Sequence, residues 1–292
     1  MSNDATGVQM TRRDLLAGGA AIAALAAMPA HLAQAKTFTE DSVHDIVLIH
    51  GAWHGAWCWE LVTPLLEKQG FRVHALTLPG LAERADELTP DLGLQNHIDD
   101  AIAQIDARGL ERFVLVGHSY GGMVITGVAD ALKSKIAHIV YLDAALPKDG
   151  ESMLSYGEPR PQAAIDGAIA AMRGLAPDGV GMMAFPPSVL GIPEDHERYD
   201  WVAKNLTAHP LKTWLDPIAL PNGGAQGLPA TYVECTNPRL AQTQFAWVAE
   251  QKRGAPGWNV VELATGHDAM VTEPEGVAAI ILAAANTTKE SR

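Results

Sequence analysis

The segment Phe113-Val114-Leu115-Val116-Gly117-His118-Ser119-Tyr120-Gly121-Gly122 constrains this chain more than any other. Phe113 to Val116 is a short apolar, β-rich run of the kind that fills a buried strand, and Met123 to Leu132 continues with helix-compatible apolar spacing. Ser119 therefore stands at a strand-to-helix corner, inside G-x-S-x-G. A corner this tight crowds neighbouring side chains, which is why Gly117 and Gly121 flank it and Gly122 opens the helix. It lifts the Ser119 hydroxyl clear of the sheet and aims the unpaired N–H groups of a first helical turn at whatever Ser119 attacks. The same letters can also spell a glycine-rich turn around an ordinary serine. A nucleophile at Ser119 requires a base and an acid elsewhere in the chain.

Strands and helices alternate on both sides of this corner. Val43 to Ile49 is strongly apolar, as a strand covered on both faces should be; Trp57 to Lys68 reads as a helix and Phe71 to Leu76 as the next strand after the Gly70 stop. Leu94 to Ile105 is an amphipathic helix, and Ile136 to Leu142 a strand ending in Asp143. Ala230 to Glu234 and Asn259 to Leu263 are further strands before a closing helix, Pro274 to Ala285. This alternation predicts an α/β fold with a mostly parallel central sheet flanked by helices. Residues 148–227 break the pattern: they hold many of the prolines and glycines, with helical pieces at Ala163 to Met172 and His196 to Leu206. That length predicts an inserted, mostly helical cap over the strand ends. Met172, Met182, Met183, Phe185, Trp201 and Trp214 would supply its apolar faces, some of them lining a pocket.

A chain of 292 residues, 48% of them hydrophobic, can bury one sizeable core, so one catalytic domain is expected over 36–292. The first 35 residues stand apart. Thr11-Arg12-Arg13-Asp14-Leu15-Leu16 opens a small-residue apolar run to about Pro29, and Ala33-Gln34-Ala35 follows as a cleavage signal. Paired arginines before a short apolar segment resemble a twin-arginine export leader. The run is shorter than the roughly 20 residues that span a bilayer, so cleavage near Lys36 is expected, giving a periplasmic or secreted protein with no stable membrane anchor. The leader would remove two basic and two acidic residues, leaving 21 − 2 = 19 basic and 34 − 2 = 32 acidic, so the formal charge stays at −13. Such acidity argues against nucleic acid as a partner. Cys58 and Cys235 are the only cysteines; two buried free thiols are expected, with a single bridge as the alternative.

Thr265-Gly266-His267-Asp268 follows the last strand, where a loop histidine can swing back to the serine. His267 is the expected general base, taking the Ser119 proton and returning it to the leaving alcohol. His118 is expected to face away from the pocket. The His50-Gly51 turn after the first strand can present the Ala52 N–H beside that of Tyr120, two oxyanion donors worth on the order of 3 kcal/mol each. His50 and His54 have no Asp, Glu or Cys at ligand spacing, so no metal is expected there.

Three motifs, His50-Gly51-Ala52-Trp53-His54-Gly55-Ala56-Trp57-Cys58-Trp59, Gly117 to Gly122, and Gly266-His267-Asp268-Ala269-Met270, together resemble the α/β-hydrolase branch that contains plant methyl-ester esterases and hydroxynitrile lyases. The resemblance runs from about Val43 to Ala285, weakly across the cap, and implies a cofactor-free serine esterase of the α/β-hydrolase fold, nucleophile first and histidine last. The lyases of the branch typically carry threonine where Gly51 stands and lysine directly after the catalytic histidine. Here that second position is Asp268, so a cyanide anion would meet a carboxylate. Relatives usually place the triad acid just beyond the strand ending at Glu234-Cys235-Thr236, where this chain has Asn237-Pro238. Asparagine can orient an imidazole but cannot balance its charge. Asp143, at the end of the strand after the nucleophile strand, is the better candidate and resembles lipases that take their acid there; a turn or helix-capping aspartate is the alternative. Glu234 ranks third.

The expected activity is hydrolysis of a small to medium uncharged ester through an acyl-enzyme on Ser119. An amide or carbamate hydrolase would use the same residues. A hydroxynitrile lyase would use Ser119 and His267 as an acid–base pair, and a ligand-binding protein would keep the fold without turnover.

Overall fold

The computed structural model describes residues 43–287. The expected leader, residues 1–35, lies outside the described residues. Six strands form one sheet: β1 Asp45–Ile49, β2 Arg72–Leu76, β3 Phe113–His118, β4 Ile136–Leu142, β5 Ala230–Cys235 and β6 Trp258–Leu263, in the spatial order β2-β1-β3-β4-β5-β6. Every pairing in this sheet is parallel. Parallel neighbours need a crossover, and the helices supply it: α1 Thr63–Glu67, α2 Leu94–Ala107, α3 Gly121–Leu132, then α4 Gln162–Gly174, α5 Tyr199–Asn205 and α6 Lys212–Leu215 in the insertion, and finally α7 Phe245–Lys252, α8 Ala269–Thr272 and α9 Pro274–Thr287.

Alternate residues of each central strand feed two different cores. Val47, Ile49, Leu115, Ile139, Tyr141 and Tyr232 join α2, α3 and α7 on one face. Ile46, Leu48, Val114, Val116, Val140 and Val233 join α1, α8 and α9 on the other. Both side-chain sets are apolar, which is why β1 and β3 read as unbroken hydrophobic runs rather than alternating ones.

The helix expected over Trp57 to Lys68 is two pieces, a 3-10 turn at Ala56–Trp59 and α1 from Thr63. Pro64 sits in the first turn of α1; it has no N–H to give Glu60, so one continuous helix cannot form. The insertion is irregular with three helices and a two-residue antiparallel bridge between Gly181–Met182 and His209–Pro210. Among the described residues no helix is long and apolar enough to cross a membrane. Cys58 and Cys235 are both buried and unbridged.

Candidate active site

Ser119 has a φ of 54°, in the left-handed region that costs a residue with a Cβ roughly 1–2 kcal/mol. Backbone hydrogen bonds hold it there. Its N–H donates to the Leu142 carbonyl (3.2 Å), and its own carbonyl accepts from the N–H groups of Gly122 and Ala145 (3.0 Å each). The corner is thus tied to the exit of β4. Gly122 has no alternative at its position, because a Cβ there would run into the Ala145 carbonyl.

Asp143 leaves the end of β4 with a φ of 41° and is only 2% exposed. Its N–H donates to Val233 O (2.8 Å) and its Oδ1 accepts the Cys235 N–H (3.2 Å), which fixes the carboxylate against β5. Asp143 Oδ2 lies 2.6 Å from Nδ1 of His267, on the loop between β6 and α8. A carboxylate only accepts, so Nδ1 carries the proton and Nε2 is left as the basic nitrogen. Phe245 of α7 lies parallel to the imidazole, centroids 5.3 Å apart and planes within 8°, which fixes the ring plane.

Of the three acids considered from sequence, Asp143 is the one that meets the histidine. Asn237 is exposed, and its N–H is given to Thr265 O (3.0 Å). Glu234 is buried but paired with Arg239 (2.8 Å) and Arg253 (3.2 Å).

His118, expected to face away from the pocket, is fully buried. It packs on His267 with centroids 4.5 Å apart, and its Nε2–H donates to the His267 carbonyl (3.1 Å), which places the histidine loop beside the Ser119 corner. Burial pushes its pKa well below the usual histidine range, with neighbouring histidines adding to the effect, so the ring is neutral. Tyr120 follows Ser119 in the chain, and Ala52 follows Gly51, where a Cβ would fall 2.9 Å from the Ser119 Cβ; both residues are buried, and among the described residues neither amide N–H is given to a hydrogen-bond acceptor. Both remain available to an oxyanion.

His50 accepts the Leu78 N–H at Nε2 (3.1 Å) and donates from Nδ1 to Gly51 O (2.8 Å); burial pushes its pKa down to about 3, so it is a neutral structural residue. Donor atoms of His118, His267 and Asp268 lie within 4.8 Å of one another. His267 Nδ1 is committed to Asp143 and His118 Nε2 to a carbonyl, while His118 Nδ1 and Asp268 Oδ1 have no hydrogen-bond partner. Asp268, expected to confront an anionic leaving group, is instead fully buried and bonded to His54 Nε2 (3.1 Å).

The insertion closes on this site through packing that sequence spacing does not show. Phe185 and Trp214 sit on Trp53 at 5.0 and 5.6 Å, and the Met182 carbonyl takes the Trp53 indole N–H (3.2 Å). Trp201 packs against Trp57 (5.0 Å), Met172 packs beside Met182 and Leu211, and Met183 faces solvent. Leu190 O accepts the Asp268 N–H (3.0 Å), and a Cβ on Gly191 (φ 86°) would fall 2.6 Å from the His267 backbone nitrogen. Gly191→Ala is therefore expected to push the histidine loop away from the serine and lower kcat by about 100-fold, as misplacements near 1 Å do. Steady-state kinetics on the folded variant checks this; a kcat near wild type would mean the loop absorbs the methyl group.

The Alpha/beta hydrolase family matches residues 46–280. Carbendazim hydrolyzing esterase of Nocardioides sp. (strain SG-4G) is 36% identical over 237 residues, 80% of this chain and 96% of that protein. Methylesterase 2 of Arabidopsis thaliana is 38% identical over 110 residues, 37% of this chain and 42% of its own length. Among solved structures, a pyrethroid hydrolase from Sphingobium faniae JZ-2 superposes with a TM-score of 0.64 at 26% identity, covering 85% of this chain and 100% of that one.

Proposed function

The chain belongs to the alpha/beta hydrolase family, and on that premise we propose that it is a serine hydrolase cleaving small to medium, uncharged carboxylic esters through an acyl-enzyme on Ser119. The observation that carries this reading is the 2.6 Å contact between His267 Nδ1 and Asp143 Oδ2 beside a serine held at positive φ.

In the proposed cycle His267 Nε2 removes the Ser119 proton as Oγ attacks the ester carbonyl carbon. Negative charge collects on the carbonyl oxygen, where the N–H groups of Ala52 and Tyr120 stabilise it. The tetrahedral adduct collapses, the C–O bond to the alcohol breaks, and His267 gives its proton to the departing oxygen. Asp143 stabilises the imidazolium while it lasts. Water, deprotonated by the same histidine, then attacks the acyl carbon; the C–Oγ bond breaks, His267 returns the proton to Ser119 Oγ, and the acid is released. The aromatic cluster of Trp53, Phe185 and Trp214, where the insertion packs on the loop after β1, supports an uncharged substrate.

A carbamate is the second reading, because the relative aligned over most of this chain is named for hydrolysing carbendazim, which carries a carbamate carbonyl. A matched panel of methyl esters, methyl carbamates and amides with one aromatic acyl part separates the two. Faster kcat/KM on the esters supports the first reading, faster carbamate turnover the second, and no turnover of any member would sink both. We also propose export, motivated by Arg12-Arg13 and Ala33-Gln34-Ala35. Mass spectrometry of the native protein should then find an N-terminus near Lys36, and an intact leader would contradict it.

A further inference from the structure

One buried charged pair has no part in the proton transfers above. His54 is 1% and Asp268 0% exposed. His54 Nε2 lies 3.1 Å from Asp268 Oδ2, and Nδ1 lies 2.7 Å from the Ala52 carbonyl. Both partners are acceptors, so both ring nitrogens carry protons and the ring is an imidazolium. A neutral ring would set a bare nitrogen lone pair against an oxygen lone pair. Burial alone would push the His54 pKa down, but the Asp268 charge, its hydrogen bond and the Ala52 carbonyl outweigh burial and raise it. The other titratable groups around the pair are His267, with a ring nitrogen within 4.8 Å of an Asp268 oxygen, His118, whose Nε2 is 3.8 Å from Asp268 Oδ1 and whose ring is neutral, His50 and His209, both held neutral by burial, and the Cys58 and Cys235 thiols, pushed up by burial with Asp268 adding to it. Among the described residues His54 is the only side chain hydrogen-bonded to the Asp268 carboxylate, whose Oδ1 has no hydrogen-bond partner. Trp57 stacks over the His54 ring at 5.1 Å and keeps water from it.

What the pair joins gives it a role. Ala52 carries one oxyanion N–H, on the loop after β1, and Asp268 is the residue peptide-bonded to His267, 214 positions away from His54 in the chain. We propose that the His54–Asp268 pair is a strut that fixes the oxyanion loop relative to the general base, making both positioning residues that act on kcat rather than on substrate binding. This rests on the hydrolase reading above. An oxyanion donor and a base must be held together to within about half an ångström for one transition state to use both. Among the described residues the His54 Nε2–Asp268 Oδ2 hydrogen bond is the only one that joins side chains of those two loops, and the His54 Nδ1–Ala52 bond passes its hold on to the backbone beside the oxyanion donor.

The test uses the full chain, with His54→Gln, Asp268→Asn and the double variant, on an ester that the wild type turns over. Each folded single variant is expected to lose about 100-fold in kcat with KM changed less than about 3-fold, and the rate of Ser119 phosphonylation should fall in step. The double variant is expected to recover about 10-fold over either single, because two amides can hydrogen-bond without an unpaired buried charge. Where the single variants do not fold, NMR of the wild-type His54 ring carries the test: both ring N–H protons should persist above pH 6.5, and a ring that is neutral at pH 6.5 overturns the strut. Folded single variants with wild-type kcat, or a loss confined to KM, overturn it too. A wild type that neither hydrolyses esters nor reacts at Ser119 overturns the hydrolase reading and the strut together, whereas an active wild type with unaffected variants overturns the strut alone.

Discussion

Ser119→Ala is expected to lower kcat/KM on a short ester by about a million-fold while leaving the fold intact. The expectation of an intact fold follows from what holds the corner. Ser119 keeps its φ of 54° through three backbone hydrogen bonds, to Leu142, Gly122 and Ala145, and alanine makes the same three. What the variant loses is the only atom able to attack. Some residual catalysis over water, on the order of a thousandfold, should survive through the oxyanion donors and substrate binding. Matched circular dichroism spectra with kinetics of both proteins check the prediction, and a variant hydrolysing at the wild-type rate would move the chemistry away from the corner.

Asp143→Asn is expected to cost about 10,000-fold in kcat, while Asn237→Ala stays within about 3-fold of wild type. The asymmetry is geometric. Asp143 holds His267 Nδ1–H at 2.6 Å, so an amide there can turn its NH2 toward the ring and reverse the tautomer, leaving Nε2 protonated and unable to accept from serine. The charge that stabilises the imidazolium is lost as well. Asn237 is exposed and touches the histidine loop through its backbone N–H, which alanine retains. Kinetics of both variants beside thermal unfolding curves decides the matter. The reverse ranking would return the orienting role to the position that relatives usually use.

The parts of this molecule legible in the sequence are those coded by neighbours in the chain. β3, the glycine-flanked corner and α3 follow from residues that touch each other locally, and β4 has the bounds read from its apolar run, Ile136–Leu142. The single helix expected after β1 breaks over a similarly short distance, because Pro64 interrupts a run whose apolar spacing alone looks continuous. Asp143 stood out by its place in strand order, since β4 lies next to β3 in the sheet and their ends must emerge together. The direction of Asp268 was not legible: position after the catalytic histidine does not say that the side chain turns inward to His54. Phe245 over His267 and Gly191 against the same loop belong to this class, contacts between segments that no local pattern links. A hint lay in the paired glycines, since Gly191 and Gly266 would each collide with the other segment if they carried a Cβ.

Covalent labelling with a fluorophosphonate, with the adduct located by peptide mapping, tests the central claim most directly. The geometry of Ser119, His267 and Asp143 predicts one adduct per chain on Ser119, formed quickly by wild type, absent from Ser119→Ala and slowed at least about 1,000-fold in folded His267→Ala. Folded wild-type protein that takes no label, or takes it at Ser119 equally fast without His267, would contradict an activated nucleophile at this corner.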